Sequence, residues 1–420
     1  MTLLRPMDAD RVPALRRDPV DAKTLQQAAA IVADVREHGE DALRKHAERL
    51  GDLVPEAPLV RHRADLDQAL RRVQPSDREI LERTRDRIAA FARAQLASLA
   101  PMQTELPGGA AGHTLAAVER AGCYAPGGRY PLPSSVLMTA ITARVAGVRE
   151  VWVASPRPTD ITMAAAAIAG ADALLAVGGA QGIAALAYGA GEVPACDAIV
   201  GPGNAWVTAA KQLVSGTVAI DMLAGPSELV VLADESADPG MIAADLLAQA
   251  EHDDLALPIL VALSPALPQQ VDAELERQLA TLPTAATARV ALSRGFSVVA
   301  ASLDQAVSLC DRLAPEHLQL LTQDPEALAK RLRHYGGLFI GANSAEVLGD
   351  YGAGPNHTLP TGGTARSTGG LSVLTFLRVR TWLRLAEGPE TRALARDAAA
   401  LARLEGLEAH ARAADRRNQP

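Results

Sequence analysis

The chain has 420 residues, 48% of them hydrophobic and 3% aromatic, too many for one compact core, so two or more domains are expected. Its 41 basic and 49 acidic residues leave a net charge of −8, which gives no overall attraction to nucleic acid or anionic membranes, and the few aromatics argue against base stacking. Three cysteines, Cys123, Cys196 and Cys310, stand far apart without CxxC spacing, which fits a reducing compartment and excludes a cysteine-rich zinc site.

The N-terminus, MTLLRPMDADRVPALRR, carries charges and prolines where a signal peptide needs an apolar run, so a cytoplasmic location is expected. Residues 21–51 and 76–100 show helical spacing with mixed surface charge, and Ser76 with Glu79 makes a capping-box pattern. From about Ala116 the pattern changes. Short apolar runs, REVWVAS (149–155), ALLAV (173–177), AIVGPG (198–203), ELVVLAD (228–234) and PILVALS (258–264), alternate with helical stretches. That is the layout of open parallel sheets covered by helices on both faces, where ligands bind at the carboxyl ends of strands. The segment 162–191 is poor in charge, but Asp172, Gln181 and its glycines break it into helix, strand and helix, so no membrane span is expected. The tail, about 384–417, reads as helical; its apolar stripe through Leu394, Leu401 and Leu404 must pack on something, which makes subunit exchange a candidate.

Chemistry-bearing side chains gather in turn-rich clusters. In DLLAQAEHDD (245–254), Gln249 and His252 are i,i+3 neighbours at the end of an apolar helical face; they can reach one cation or hydrogen-bond to nearby backbone. GGAQG (178–182) and GPGN (201–204) are either phosphate-cradling turns or plain strand-to-helix turns. APEHL (314–318) sets Glu316 beside His317, either as two proton-transfer groups at a turn or as an acidic helix start. Asp350 and His357 flank a glycine-rich loop that suits a metal site or an Asx turn. Glu405 and His410 are five residues apart, about 140° around a helix, so no shared face joins them and His410 reads as a surface histidine on spacing alone.

Taken in order, GPGNAWVTAAKQLVSG, IDMLAGPSELVVLAD, QAEHD, APEHLQL and GDYGAGPNHTLPTGGTAR, with YAPGG, PSSVLM and GGAQGIAALAYG upstream, resemble the histidinol dehydrogenase family over about Arg120 to Ser372. Departures are RYPLP after PGG, Ala198 where a lysine is common in the family, and RSTGG after GGTA; the first two fall on the presumed nucleotide side. The resemblance implies NAD-dependent oxidation of L-histidinol through L-histidinal to L-histidine, the last steps of histidine biosynthesis, with two NAD consumed. It implies one zinc per subunit bound by Gln249, His252, Asp350 and His410. Substrate contacts would be these ligands with Ser227, His317, His357 and Glu405, and NAD contacts Tyr124, Gln181 and Asn204. His317 would be the base for alcohol oxidation and Glu316 the group that activates water for the aldehyde step.

The implied fold is α/β, with two incomplete Rossmann-like parallel-sheet domains, one inserted in the other, a helical N-terminal segment and a C-terminal helical tail. Its expected parts are an arm (1–20), a main domain carrying most metal ligands (21–122 and 229–370), an inserted nucleotide-side domain (123–228) and a tail (371–420) exchanged within a homodimer that shares its active sites. A zinc hydrolase using Glu316 as base on a metal-bound water, and a non-catalytic zinc- or imidazole-binding protein, are the rival readings.

Overall fold

The apolar runs of the sequence become two parallel sheets in the computed structural model, which describes residues 2–12, 14, 18–127 and 131–418. In the first sheet the strands lie in the order Arg5–Pro6, Phe296–Val299, Leu257–Ala262, Glu228–Ala233, His317–Leu321 and Gly337–Ile340, every pair parallel. Glu228–Ala233 and Leu257–Ala262 are buried at each position, as strands covered on both faces must be. Successive side chains serve opposite layers: Leu229 and Val231 pack with Ile242, Leu246 and Val271, whereas Val230 and Leu232 pack with Ala306, Leu309 and Leu313.

The second sheet runs Val60–His62, Ala173–Leu175, Glu150–Ala154, Arg120–Tyr124, Ala198–Val200 and Ala219–Ile220, and only its first pair is antiparallel. Both sheets share one winding. The chain enters at a central strand, adds two strands outward, then returns to the other side of that strand, so a switch point lies beside Glu228–Ala233 in one sheet and beside Arg120–Tyr124 in the other. These Rossmann-like sheets are nested, since the strands of the second fall in sequence between Arg5–Pro6 and Glu228–Ala233 of the first.

Three expectations need correction. Residues 21–122 do not all go with 229–370: the helices Ala22–Arg49 and Arg63–Arg72 pack against helices of the second sheet, and Val60–His62 joins that sheet, covering the edge that Ala173–Leu175 would leave open, whereas the helix Pro75–Ala97 meets the loop at Gly352 through Arg87. The 122/123 boundary therefore cuts through the strand Arg120–Tyr124. The tail is not wholly helical, because Leu377–Leu385 is a strand paired antiparallel with Gly109–Ala117, and Met102–Leu106 completes a three-stranded sheet. Helices Pro389–Leu404 and Glu408–Asp415 follow it. Finally, the helix Pro75–Ala97 starts at Pro75, a residue suited to the first helical position, which places Ser76 inside the first turn instead of at the cap.

The chain forms two compact units, Met1–Ala94 with Val118–Phe376, and Gln95–Ala117 with Leu377–Pro420. The first holds both parallel sheets and the second the antiparallel one. Among the described residues no helix is long and apolar enough to cross a membrane.

Candidate metal and active site

Polar side chains converge at the amino ends of the first sheet, beside its switch point. A helix that follows a parallel strand runs back against it, so Pro239–Ala250 delivers Gln249 and His252 to the end where the strand His317–Leu321 begins. Gln249 is fully buried; its Nε2 lies 3.3 Å from His252 Nδ1, and its Oε1 has no hydrogen-bond partner among the described residues. Asp350 faces both histidines, with Oδ2 at 3.9 Å from His252 Nε2 and Oδ1 at 3.7 Å from His317 Nε2. Donor atoms of His252, Glu346 and Asp350 all lie within 4.8 Å of one another.

Glu346 escaped the sequence reading. It opens the short helix Glu346–Asp350 and stands one turn before Asp350, so both carboxylates share a face. Its Oε1 is 3.7 Å from His317 Nδ1. Glu316, just ahead of the strand, accepts the Glu228 N–H at 2.9 Å and lies 3.7 Å from the His317 ring. His317 in turn donates its Nδ1 proton to the Glu228 carbonyl at 3.0 Å.

Carboxylates dominate the electrostatics of this pocket, and among the described residues only histidines pair with Glu316, Glu346 and Asp350. Burial pushes the Glu316 carboxyl up to about 8 and the Glu346 carboxyl up to about 7. Burial works against a charged His317 ring, yet Glu346, Glu316 and Asp350 outweigh it and push its pKa up to about 10. Burial also works against Asp350, but the His317 ring beside it holds its carboxyl below the usual range. An unsatisfied amide oxygen, a histidine and clustered carboxylates with no lysine or arginine among them form a donor set that fits a divalent cation such as zinc.

The loop after Asp350 is held from several sides. Arg87 donates to the Gly352 carbonyl at 2.7 Å, and Asn356 donates to the Met138 carbonyl at 2.8 Å. His357 gives its Nδ1 proton to the Asp350 carbonyl at 2.9 Å, which leaves a buried Nε2 lone pair without a partner among the described residues. Burial lowers its pKa, which favours the neutral ring. Ser227, partly buried, sits immediately before the strand Glu228–Ala233.

The expected nucleotide contacts occupy the opposite kind of position, the carboxyl ends of the second sheet. Tyr124 ends its strand, and its hydroxyl accepts the Gly179 N–H at 3.1 Å. Gln181 is buried in the first turn of Gly179–Tyr188, with Nε2 donating to Asp52 at 2.9 Å; the same carboxylate accepts the Gly178 N–H at 3.0 Å. Asp52 had no signal in the sequence beyond its place after a helix. Asn204 caps Ala205–Val214 by accepting from Trp206 and Val207 and is exposed. Of the RYPLP departure, residues 129 and 130 lie outside the described residues. Ala198 starts its strand and thus stands at the end of the sheet remote from Asn204.

The expected nucleotide contacts thus stand at the carboxyl ends of the second sheet, whereas the polar cluster of the first sheet lies at the amino ends. Glu405 and His410 belong to the second compact unit, where both are exposed. Glu405 ends Pro389–Leu404 and His410 lies in Glu408–Asp415, so a turn at Gly406 separates them onto different helices.

The family model for histidinol dehydrogenase matches residues 15–418. The chain is 49% identical over 392 residues to the histidinol dehydrogenase of Thermus thermophilus, covering 92% of this chain and 93% of the relative. It belongs to the histidinol dehydrogenase family. A second relative, the histidinol dehydrogenase of Nitratidesulfovibrio vulgaris, is 47% identical over 414 residues, covering 96% of this chain and 94% of its own length. The crystal structure of histidinol dehydrogenase from Elizabethkingia anophelis matches with a TM-score of 0.90 at 29% identity, over 99% of this chain and 98% of that one. Membership of the histidinol dehydrogenase family makes the chain an oxidoreductase, against both the hydrolase and the non-catalytic readings.

Proposed function

We propose that the protein is a zinc-dependent enzyme that oxidises L-histidinol to L-histidinal and then to L-histidine, reducing two molecules of NAD. One observation carries this reading: the Glu316–His317 pair meets Gln249, His252, Glu346 and Asp350 at the amino ends of one sheet, a metal donor set beside two proton-transfer groups. Tyr124, Gln181 and Asn204, at the carboxyl ends of the other sheet, are the nucleotide contacts in this reading.

A zinc ion held by Gln249, His252 and Asp350, with Glu346 beside them and His410 as fourth ligand, would supply a positive charge that fixes the substrate's imidazole and amine and offsets the carboxylates that hold the proton on His317. His317 takes the hydroxyl proton of histidinol while the carbinol hydride passes to NAD, giving histidinal. Glu316 then takes a proton from water as the oxygen adds to the aldehyde carbon. The resulting gem-diol loses a second hydride to a second NAD and a second hydroxyl proton, giving the carboxylic acid. Ser227 and His357 line the substrate pocket, His357 offering its Nε2 lone pair to a donor on the substrate.

The enzyme acts as a homodimer in this reading, each tail completing the partner's site with Glu405 and His410. Exposed Leu401 and Leu404 on the tail helix supply apolar surface for such an exchange. Three free, buried cysteines suit the cytoplasm. The experiment is stoichiometric: limiting histidinol with excess NAD, alongside metal analysis, should give two reduced nicotinamides per histidinol and little free aldehyde. A yield of one with histidinal accumulating would overturn the two-step reading.

A further inference from the structure

Lys211 is the only buried lysine or arginine among the described residues, and it is paired with Asp221; their side chains are 2% and 0% exposed. The contacts of this pair centre on Gly201. The Lys211 ammonium donates to the Gly201 carbonyl at 3.0 Å as well as to Asp221 Oδ1, and Asp221 Oδ2 accepts the Gly201 N–H at 2.7 Å. Asp221 Oδ1 also accepts the Met222 N–H at 2.7 Å. Both backbone polar groups of Gly201 are thus held by one ion pair.

Gly201 occupies a demanding position. It follows the strand Ala198–Val200 and opens the GPGN loop with φ +116°, and a Cβ there would lie 2.0 Å from the Tyr124 carbonyl oxygen. Lys211 lies in the helix that Asn204 caps, and Asp221 begins the connection to Ser227 and the first sheet. Burying two charges costs desolvation, and an apolar pair of similar volume often stabilises a fold as well. An apolar pair cannot hold the Gly201 N–H and C=O, the groups that fix how the loop leaves its strand.

We propose that Lys211 and Asp221 are a positioning pair that presets the 201–204 loop to receive the dinucleotide. The proposal rests on assigning Tyr124, Gln181 and Asn204 to the nucleotide side. Neither charge touches the ligand; each acts through Gly201.

The test is a cycle of Lys211→Met, Asp221→Leu and the double variant, read in zinc-loaded enzyme. Each single variant leaves one partner buried alone, so the double should recover thermal stability relative to the singles. Its KM for NAD should nevertheless stay raised by about ten- to a hundredfold, while histidinol affinity by calorimetry stays within about twofold of wild type. A wild-type KM for NAD in the folded double variant overturns the proposal, and so does an equal loss of histidinol affinity, which marks general loosening. Amide exchange in the wild-type holoenzyme judges the proposal even if the double variant does not fold. The Gly201 and Met222 amides should be strongly protected without nucleotide, and exchange at free-peptide rates would overturn it. Absence of saturable NAD binding by wild type would instead strike the nucleotide assignment, and this role with it.

Discussion

His317 gives its Nδ1 proton to the main-chain carbonyl of Glu228, and that bond decides the chemistry of the other nitrogen. A carbonyl cannot donate, so the neutral ring must carry its proton on Nδ1 and present a lone pair at Nε2, 3.7 Å from Asp350 Oδ1. In His317→Asn the turnover of histidinol should fall by about 10²- to 10⁴-fold with zinc content unchanged. Steady-state rates together with metal analysis check this; wild-type turnover in a zinc-loaded variant would remove His317 from the reaction.

Glu316 should show itself through pH. Burial raises its carboxyl to about 8, and a base works only when ionised, so histidinal oxidation should rise as pH climbs through that value and fall away below it. Glu316→Gln should flatten this limb and harm the aldehyde step more than the alcohol step, since the amide oxygen can still accept the Glu228 N–H. Separate pH–rate profiles on histidinol and histidinal decide the point, and equal losses in both steps would leave Glu316 a structural role only.

Metal retention tests the other side of the pocket. His252→Asn should lose zinc and activity together, and Glu346→Gln should weaken zinc binding by about ten- to a hundredfold. Titration with a chelator while metal content is followed measures both. Unaltered zinc affinity in Glu346→Gln would confine that carboxylate to the His317 ring.

The proposed exchange of tails makes a prediction about mixtures. When the inactive variants His317→Ala and His410→Ala are re-paired at random, half the dimers are hybrids and half of the hybrid sites are whole, so about a quarter of wild-type activity should return. Differently tagged chains verify that hybrids form. Their persistent inactivity would place His410 in its own subunit's site.

Much of the first unit was legible because fully buried parallel strands are short apolar runs: ELVVLAD and PILVALS became strands almost to the residue. QAEHD and APEHL stood out as polar pairs, each with a structural alternative that spacing alone left open. Glu346 did not, although its i,i+4 spacing from Asp350 was there to be read in EVLGD; a carboxylate pair on one helical turn more often means a solvated face. The ion pair at Gly201 was hidden for a different reason, because Lys211 lies mid-helix and Asp221 after a two-residue strand, and no local pattern relates them. Nor did the winding of the sheets reveal which ends bear the candidate metal ligands, since strands and helices alternate in the same way whichever end binds. The strand Leu377–Leu385 was legible and passed over: RVRTWLRL alternates with period two.

That strand ties the order of synthesis to the order of folding. Gly109–Ala117 finds one of its two neighbours, Met102–Leu106, within moments of leaving the ribosome, but the other, Leu377–Leu385, is translated only after both parallel sheets are complete. Through that interval the nascent chain carries an unpaired edge, open to pairing with other nascent chains. A chain terminated at residue 376 would keep every strand of the parallel sheets and still expose that edge permanently, so premature termination here should yield aggregates and not a smaller soluble enzyme.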